Sequence, residues 1–115
     1  LFGDIVTDLG AAFQGGLGMA ASANIHSSEP TRVALFEPVH GSAPPLAGKD
    51  IANPFAALLT AGMLLTHLGW PEEELRIERV VTRAIEENAC TVDVGGKLGT
   101  RAAAAWVRER VAAEL

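Results

Sequence analysis

The chain has 115 residues, 49% hydrophobic and 20% charged, the balance of one soluble globular unit with a modest core. A net charge of −5 leaves no electrostatic footprint for nucleic acid, and the single cysteine, Cys90, excludes an internal disulfide framework and fits a reducing, cytoplasmic setting. The longest apolar run, Phe55 to Leu68, is interrupted by Thr60, Gly62, Thr66 and His67 and is too short for a membrane span, and the opening LFGDIVTD reads as neither a signal nor a transit peptide.

In chain order, Ile5, Leu9, Ala12 and Phe13 recur at helical spacing and predict a helix over Gly3 to Gln14, ended by the glycines at 15, 16 and 18. Leu17 to Ile25 is small and apolar and predicts an extended, closely packed segment. His26 to Arg32 is a polar surface turn, and Val33 to Phe36 a short, fully apolar strand. Glu37 to Asn53 concentrates Pro38, Gly41, Pro44, Pro45 and Gly48 around His40, Ser42 and Lys49, and predicts an ordered loop. Asn53-Pro54 is a helix start, with Asn as cap and Pro at the first helical position. That helix runs to about Leu68, is capped by Gly69, and is apolar nearly all round, which predicts burial in a core or interface. Pro71 and Glu72 to Glu74 open an amphipathic helix, with Leu75, Ile77, Val80, Val81, Ala84 and Ile85 on its apolar face. Cys90 to Gly99 is a loop, and Thr100 caps a last helix carrying Trp106, Val107 and Val111. No repeat or linker divides residues 1–115.

Two groups of residues can carry chemistry. Asp4 and Asp8 stand at i,i+4, which puts two carboxylates on one helix face about 6 Å apart at Cβ. They read either as oxygen ligands for Mg²⁺ or Mn²⁺ or as a solvated face with one aspartate capping the helix. The His40-Gly41-Ser42-Ala43 loop offers backbone N–H groups beside side-chain donors, with the Asn53 helix start nearby. It reads either as a polar-ligand cradle or as a rigid structural loop. Neither GxGxxG nor a Walker pattern is present. Cys90 reads as a small core residue, His67 as packed or surface-lying at a helix end, and Ser42 has no hydrolase elbow around it.

Taken together, LFGDIVTD, GGLGMAASANI, LFEPVHGSAP and AGKDIANP resemble the metal-dependent β-decarboxylating dehydrogenases of the isocitrate/isopropylmalate dehydrogenase family. TVDVGGKLGT is similar to that family's TPDLGG-type segment, so the resemblance covers nearly the whole chain. It implies an α/β fold of the isocitrate/isopropylmalate dehydrogenase type, not a Rossmann fold, of which this chain is a helix-rich C-terminal portion with a few short strands. It implies that Asp4 and Asp8 bind Mg²⁺ or Mn²⁺, with a third aspartate from the partner subunit of a homodimer. Glu37, His40, Gly41, Ser42, Ala43, Pro44, Pro45, Leu46 and Asn53 would line the adenosine side of an NAD(P) site. The implied chemistry is hydride transfer from the 2-hydroxy carbon of a malate-type acid followed by loss of the β-carboxylate as CO₂. The substrate implied first is 3-isopropylmalate, in leucine biosynthesis, with tartrate/D-malate and homoisocitrate as alternatives.

Pro45 departs from the family pattern. NAD-using members usually carry Asp there, and NADP-using members often carry Lys. Pro45 can do neither job, and the absence of a basic replacement leans the reading to NAD, with Lys49 four residues on as a compensating cation. The family's catalytic Lys and Tyr and its substrate arginines lie upstream of these motifs, and the chain has no Tyr. With no initiator Met and a Gly-Asp step at its start, the chain reads as part of a longer protein and is expected to be inactive alone. A non-catalytic helical interaction module is the alternative if the 115 residues are a whole protein.

Overall fold

The computed structural model describes residues 16–114; the helix expected over Gly3 to Gln14, with Asp4 and Asp8, lies outside them. The described chain opens on a 3-10 turn at Leu17–Met19 and enters strand β1 (Ala21–Asn24), so only part of the segment expected to be extended is strand. Strand β2 (Leu35–Pro38) pairs with it antiparallel, Ala21 opposite Pro38 and Asn24 opposite Leu35. The strand expected over Val33 to Phe36 is therefore displaced toward the C-terminus, and Val33 is 98% exposed. Pairing with β1 decides this. Along β2, Phe36 and Pro38 are half-buried while Leu35 and Glu37 face outward, a period of two that the apolar run Val33 to Phe36 conceals. The Ser22 hydroxyl donates to the Glu37 carbonyl at 2.7 Å, and Val39 N–H donates to the Ala20 carbonyl at 3.0 Å, extending the pairing.

A two-stranded sheet is marginal in water, and this one rests on helix α1 (Phe55–His67). The Asn53 side-chain oxygen accepts from Phe55 N–H at 2.9 Å, the cap bond expected of it, although the regular helix begins after Pro54 and not at it. The other end is a Schellman closure. Trp70 N–H reaches the Leu65 carbonyl and Gly69 N–H reaches Thr66, with Gly69 at φ +101. Helix α2 (Pro71–Glu86) closes in the same way, with Asn88 at φ +58 in the glycine's place, Ala89 N–H on the Ala84 carbonyl and Asn88 N–H on Ile85.

Helix α3 (Thr100–Ala113) packs on α2, which packs on α1. Phe55, Val80, Ala84, Cys90, Ala103 and Val107 form the centre of the resulting core, all 1% exposed or less. Cys90 is thus the core residue its surroundings in the sequence suggest. Trp106 lies half-buried on the α2–α3 seam under two guanidinium groups, Arg110 at 3.7 Å and Arg83 at 5.6 Å from the ring centroid.

Along α1, Ala57, Ala61, Leu64 and Leu68 form an exposed apolar stripe, and β1, β2 and α2 pack on the helix elsewhere; the core or interface contact expected for a helix apolar nearly all round would come to this stripe from outside the described residues. Two expectations change. Leu75, assigned to the apolar face of α2, is 55% exposed. Thr100 does not cap α3. Its hydroxyl donates instead to the Ala52 carbonyl at 2.6 Å, and the helix start is capped by Asp50, whose Oδ1 accepts from Arg101 N–H at 3.0 Å. Among the described residues, no helix is long and apolar enough to cross a membrane.

Candidate functional site

Residues 39–53 run from the end of β2 to the start of α1 and fold over a cavity of about 520 Å³. Its walls are His40, Gly41, Ser42, Ala43, Leu46 and Asn53, together with Gly18, Ala47, Ile51, Ala52 and Asp93. The volume is in the range of small-molecule sites, and the lining is largely apolar with a few polar groups, as such sites are.

Local chemistry explains the shape of the loop. Ala43 sits in the left-handed region at φ 42, which turns the chain into a 3-10 turn at Pro44–Leu46. Both prolines suit the start of that turn, since neither has an N–H to satisfy. The His40 ring is pinned to its own loop: Nδ1 stands 2.9 Å from the Gly41 carbonyl. A carbonyl only accepts, so Nδ1 carries the proton and, in the neutral ring, Nε2 is the free acceptor.

Asn53 is held at both ends. With Oδ1 committed to Phe55 N–H, the amide nitrogen faces Asp93 and donates to its Oδ2 at 3.0 Å, with the Met19 sulfur at 3.5 Å. The other Asp93 oxygen accepts from the buried Thr91 hydroxyl. A carboxylate held by two donors keeps its orientation and retains lone pairs for a ligand. Gly18 makes room for this pair: a Cβ there would lie 2.7 Å from Asp93 Oδ2 and 3.2 Å from Asn53 Cβ. Behind the wall, burial first and the Asp93 carboxylate second push the Cys90 thiol above its ordinary range, so it stays protonated.

Of the residues singled out in the sequence, six line the cavity. Three do not. Glu37 points outward on β2, and Pro44 and Pro45 shape the turn without lining the space. Asp4 and Asp8 lie outside the described residues. Among the described residues, no group of three or more His, Cys, Asp or Glu side chains is placed to hold a metal ion. Gly18, Ala47, Ile51, Ala52 and Asp93 were not legible as site residues. For Asp93 a signal existed, a lone carboxylate between two valines ahead of Gly95-Gly96. His67 lies half-buried at the end of α1, its ring 5.4 Å from that of Phe36 and away from the cavity.

Residues 1–111 match the sequence profile of isocitrate/isopropylmalate dehydrogenases. The chain belongs to the isocitrate/isopropylmalate dehydrogenase family. It is 51% identical over 107 residues to a 3-isopropylmalate dehydrogenase of Methanothermobacter thermautotrophicus, covering 93% of this chain and 31% of that protein. It is 50% identical over 102 residues to an isocitrate/homoisocitrate dehydrogenase of Thermus thermophilus, covering 89% of this chain and 29% of that protein. Among solved structures, isocitrate dehydrogenase from Methylococcus capsulatus superposes with a TM-score of 0.88 at 47% identity, covering 96% of this chain and 32% of that one. A β-decarboxylating dehydrogenase from Thermococcus kodakarensis, in its apo form, superposes with a TM-score of 0.82 at 38% identity, covering 97% and 32%. The chain therefore spans under a third of the length of these relatives, and its hairpin and helices are part of the family's α/β fold.

Proposed function

We propose that this chain forms the adenosine side of a nicotinamide-dinucleotide site in a β-decarboxylating dehydrogenase of its relatives' length. The observation that carries this reading is the cavity in which the His40 loop, the Asn53 helix start and Asp93 meet. The substrate class is a malate-type 2-hydroxy acid, with 3-isopropylmalate put first; relatives named for it match this chain at 51% and 52% identity, and an isocitrate/homoisocitrate dehydrogenase stands beside them at 50%. Homoisocitrate and tartrate/D-malate are the alternatives.

The lining fits an adenosine. Ala43, Leu46, Ala47, Ile51 and Ala52 offer apolar surface to a flat base, and Gly41 carries no Cβ to hold a ligand off the backbone. The Asp93 oxygens accept from ribose hydroxyls or an exocyclic amine, and the free His40 nitrogen accepts as well. Among the described residues, Asp93 is the carboxylate in the lining, and no Lys or Arg joins it. A ribose 2′-phosphate would meet a like charge without a cation to offset it, which favours NAD over NADP. Bound there, the dinucleotide supplies the hydride acceptor. Asp4 and Asp8 are the proposed ligands of Mg²⁺ or Mn²⁺, which would supply Lewis-acid stabilisation of charge developing on substrate oxygen. This chain's own contribution is binding and orientation. The Lys and Tyr that move protons belong to sequence outside it, as does the third aspartate from the partner subunit of a homodimer.

The test uses the full-length dehydrogenase that contains this chain. Asp93→Ala raises KM for NAD roughly ten-fold, since hydrogen bonds to a charged group contribute about 1.5–3 kcal/mol. NAD outperforms NADP in kcat/KM. An unchanged KM for NAD in Asp93→Ala would remove the cavity from the cofactor site. The 115-residue chain alone turns over no malate-type acid, and measurable NADH formation from it would overturn the division of labour.

A further inference from the structure

The wall of the cavity formed by Leu46 to Ala52 is thin. Leu46, Ala47 and Ala52 line the 520 Å³ cavity on one side, and they also line a second space of about 340 Å³ on the other, with Gly48, Asp50, Thr100 and Arg101. A segment with open space on both faces is not held by packing. Beyond the hydrogen bonds of its own 3-10 turn, it is tied to the start of α3 by three hydrogen bonds. Thr100 N–H donates to the Asp50 carbonyl at 3.0 Å, Arg101 N–H donates to Asp50 Oδ1 at 3.0 Å, and the Thr100 hydroxyl donates to the Ala52 carbonyl at 2.6 Å. Two of the three end on Asp50.

The backbone is arranged to allow this. Asp50 sits in the left-handed region at φ 55, where Asp, Asn and Gly are tolerated and most residues are strained. Gly99 lets the strap approach, since a Cβ there would collide with the Asp50 carboxylate and lie 2.8 Å from its carbonyl oxygen. Ile51 to Asn53, directly after Asp50, are themselves lining residues.

We infer that Asp50 is a positioning residue for dinucleotide binding: it straps the cavity wall to α3, so that Ile51, Ala52 and Asn53 are in place before the ligand arrives. The inference rests on the cofactor reading above. Without the strap, binding must order the wall, and that cost falls on affinity and not on the chemical step.

The test compares full-length variants by KM for NAD and kcat at saturating NAD. Asp50→Gly keeps the backbone conformation and loses the side-chain acceptor. Its KM for NAD rises roughly five-fold, the equivalent of one lost hydrogen bond, with kcat within about two-fold of the parent. Asp50→Asn keeps both acceptor and conformation and stays near the parent in both constants. Thr100→Val removes only the Ala52 tie, raises KM in the same direction, and carries the test if Asp50→Gly does not fold. Three results would overturn the inference: a fall in kcat and thermal stability with KM unchanged, which marks a purely structural cap; Asp50→Asn as impaired as Asp50→Gly; or Asp93→Ala raising KM while neither Asp50→Gly nor Thr100→Val does, which leaves the cofactor reading standing. If Asp93→Ala also leaves KM unmoved, the cofactor reading falls and the inference with it.

Discussion

Asn53 does two jobs with one amide, and substitution separates them. Its oxygen caps α1 through Phe55 N–H, and its nitrogen donates to Asp93. In Asn53→Ala both are lost. The cap contributes about 1 kcal/mol. The bond to a carboxylate contributes about as much again once its 1.5–3 kcal/mol range is discounted for the exposed Asp93. The total is about 2 kcal/mol. Asn53→Asp keeps the capping oxygen and replaces the donor with a second carboxylate oxygen beside Asp93. That pair cannot both ionise cheaply, so one of the two carboxyls is raised above its unfolded value. The stability it withholds is present at low pH, where a shared proton restores the hydrogen bond, and is lost as pH rises through the raised value. Hydrogen exchange followed by mass spectrometry on the peptide holding Phe55 reads the cap alone. Protection falls about five-fold in Asn53→Ala, as one lost capping bond requires, and is retained in Asn53→Asp. Equal loss of protection in both variants would refute the assignment of the cap to the Asn53 side-chain oxygen.

Other substitutions probe the core and the site. Phe55 is fully buried, so Phe55→Ala costs about 3–5 kcal/mol and Phe55→Leu less than about 1.5 kcal/mol, read from thermal unfolding. Gly18→Ala pushes a Cβ into the Asp93–Asn53 pair, and NAD binding measured by calorimetry weakens roughly ten-fold, about one lost charged hydrogen bond. The Cys90 thiol is held up first by burial, then by Asp93. The unfolded chain therefore releases the thiol proton first, and stability falls as pH climbs past the ordinary thiol range; Cys90→Ala abolishes that alkaline slope. For the same reason iodoacetamide labels Cys90 in the folded protein at pH 8 far more slowly than in urea, and equal rates would contradict its burial.

Much of the helical frame was legible because its punctuation is local. Asn53, Gly69 and Pro71 mark the helix boundaries through their own backbone chemistry, and the structure uses all three within a residue of the expected place. The motif order led to the fold family and to most of the cavity loop. What escaped is what depends on distant partners. Nothing in Val33 to Phe36 reveals that β1 will pair from Leu35 onward. Thr100 is a sound cap by type, and it is displaced by Asp50, fifty residues earlier in the chain. Ala43 adopts a left-handed turn that its side chain does not advertise. The apolar circumference of α1 was visible, but which side stays open depends on which elements arrive to cover it.

The cavity draws its walls from Gly18, from the loop before α1, and from Asp93 in the turn before α3. These segments are far apart in the sequence, so a molecule that fills the space acts as a removable cross-link between distant parts of the chain. At a hundred-fold excess over its Kd such a ligand adds about 2.7 kcal/mol to the folded state. That is the contribution of a typical disulfide, about 2–4 kcal/mol, in a chain whose one cysteine is sealed in the core. With the proposed dinucleotide as that molecule, the resistance of the whole population to unfolding rises with dinucleotide concentration, while that of the empty form stays fixed.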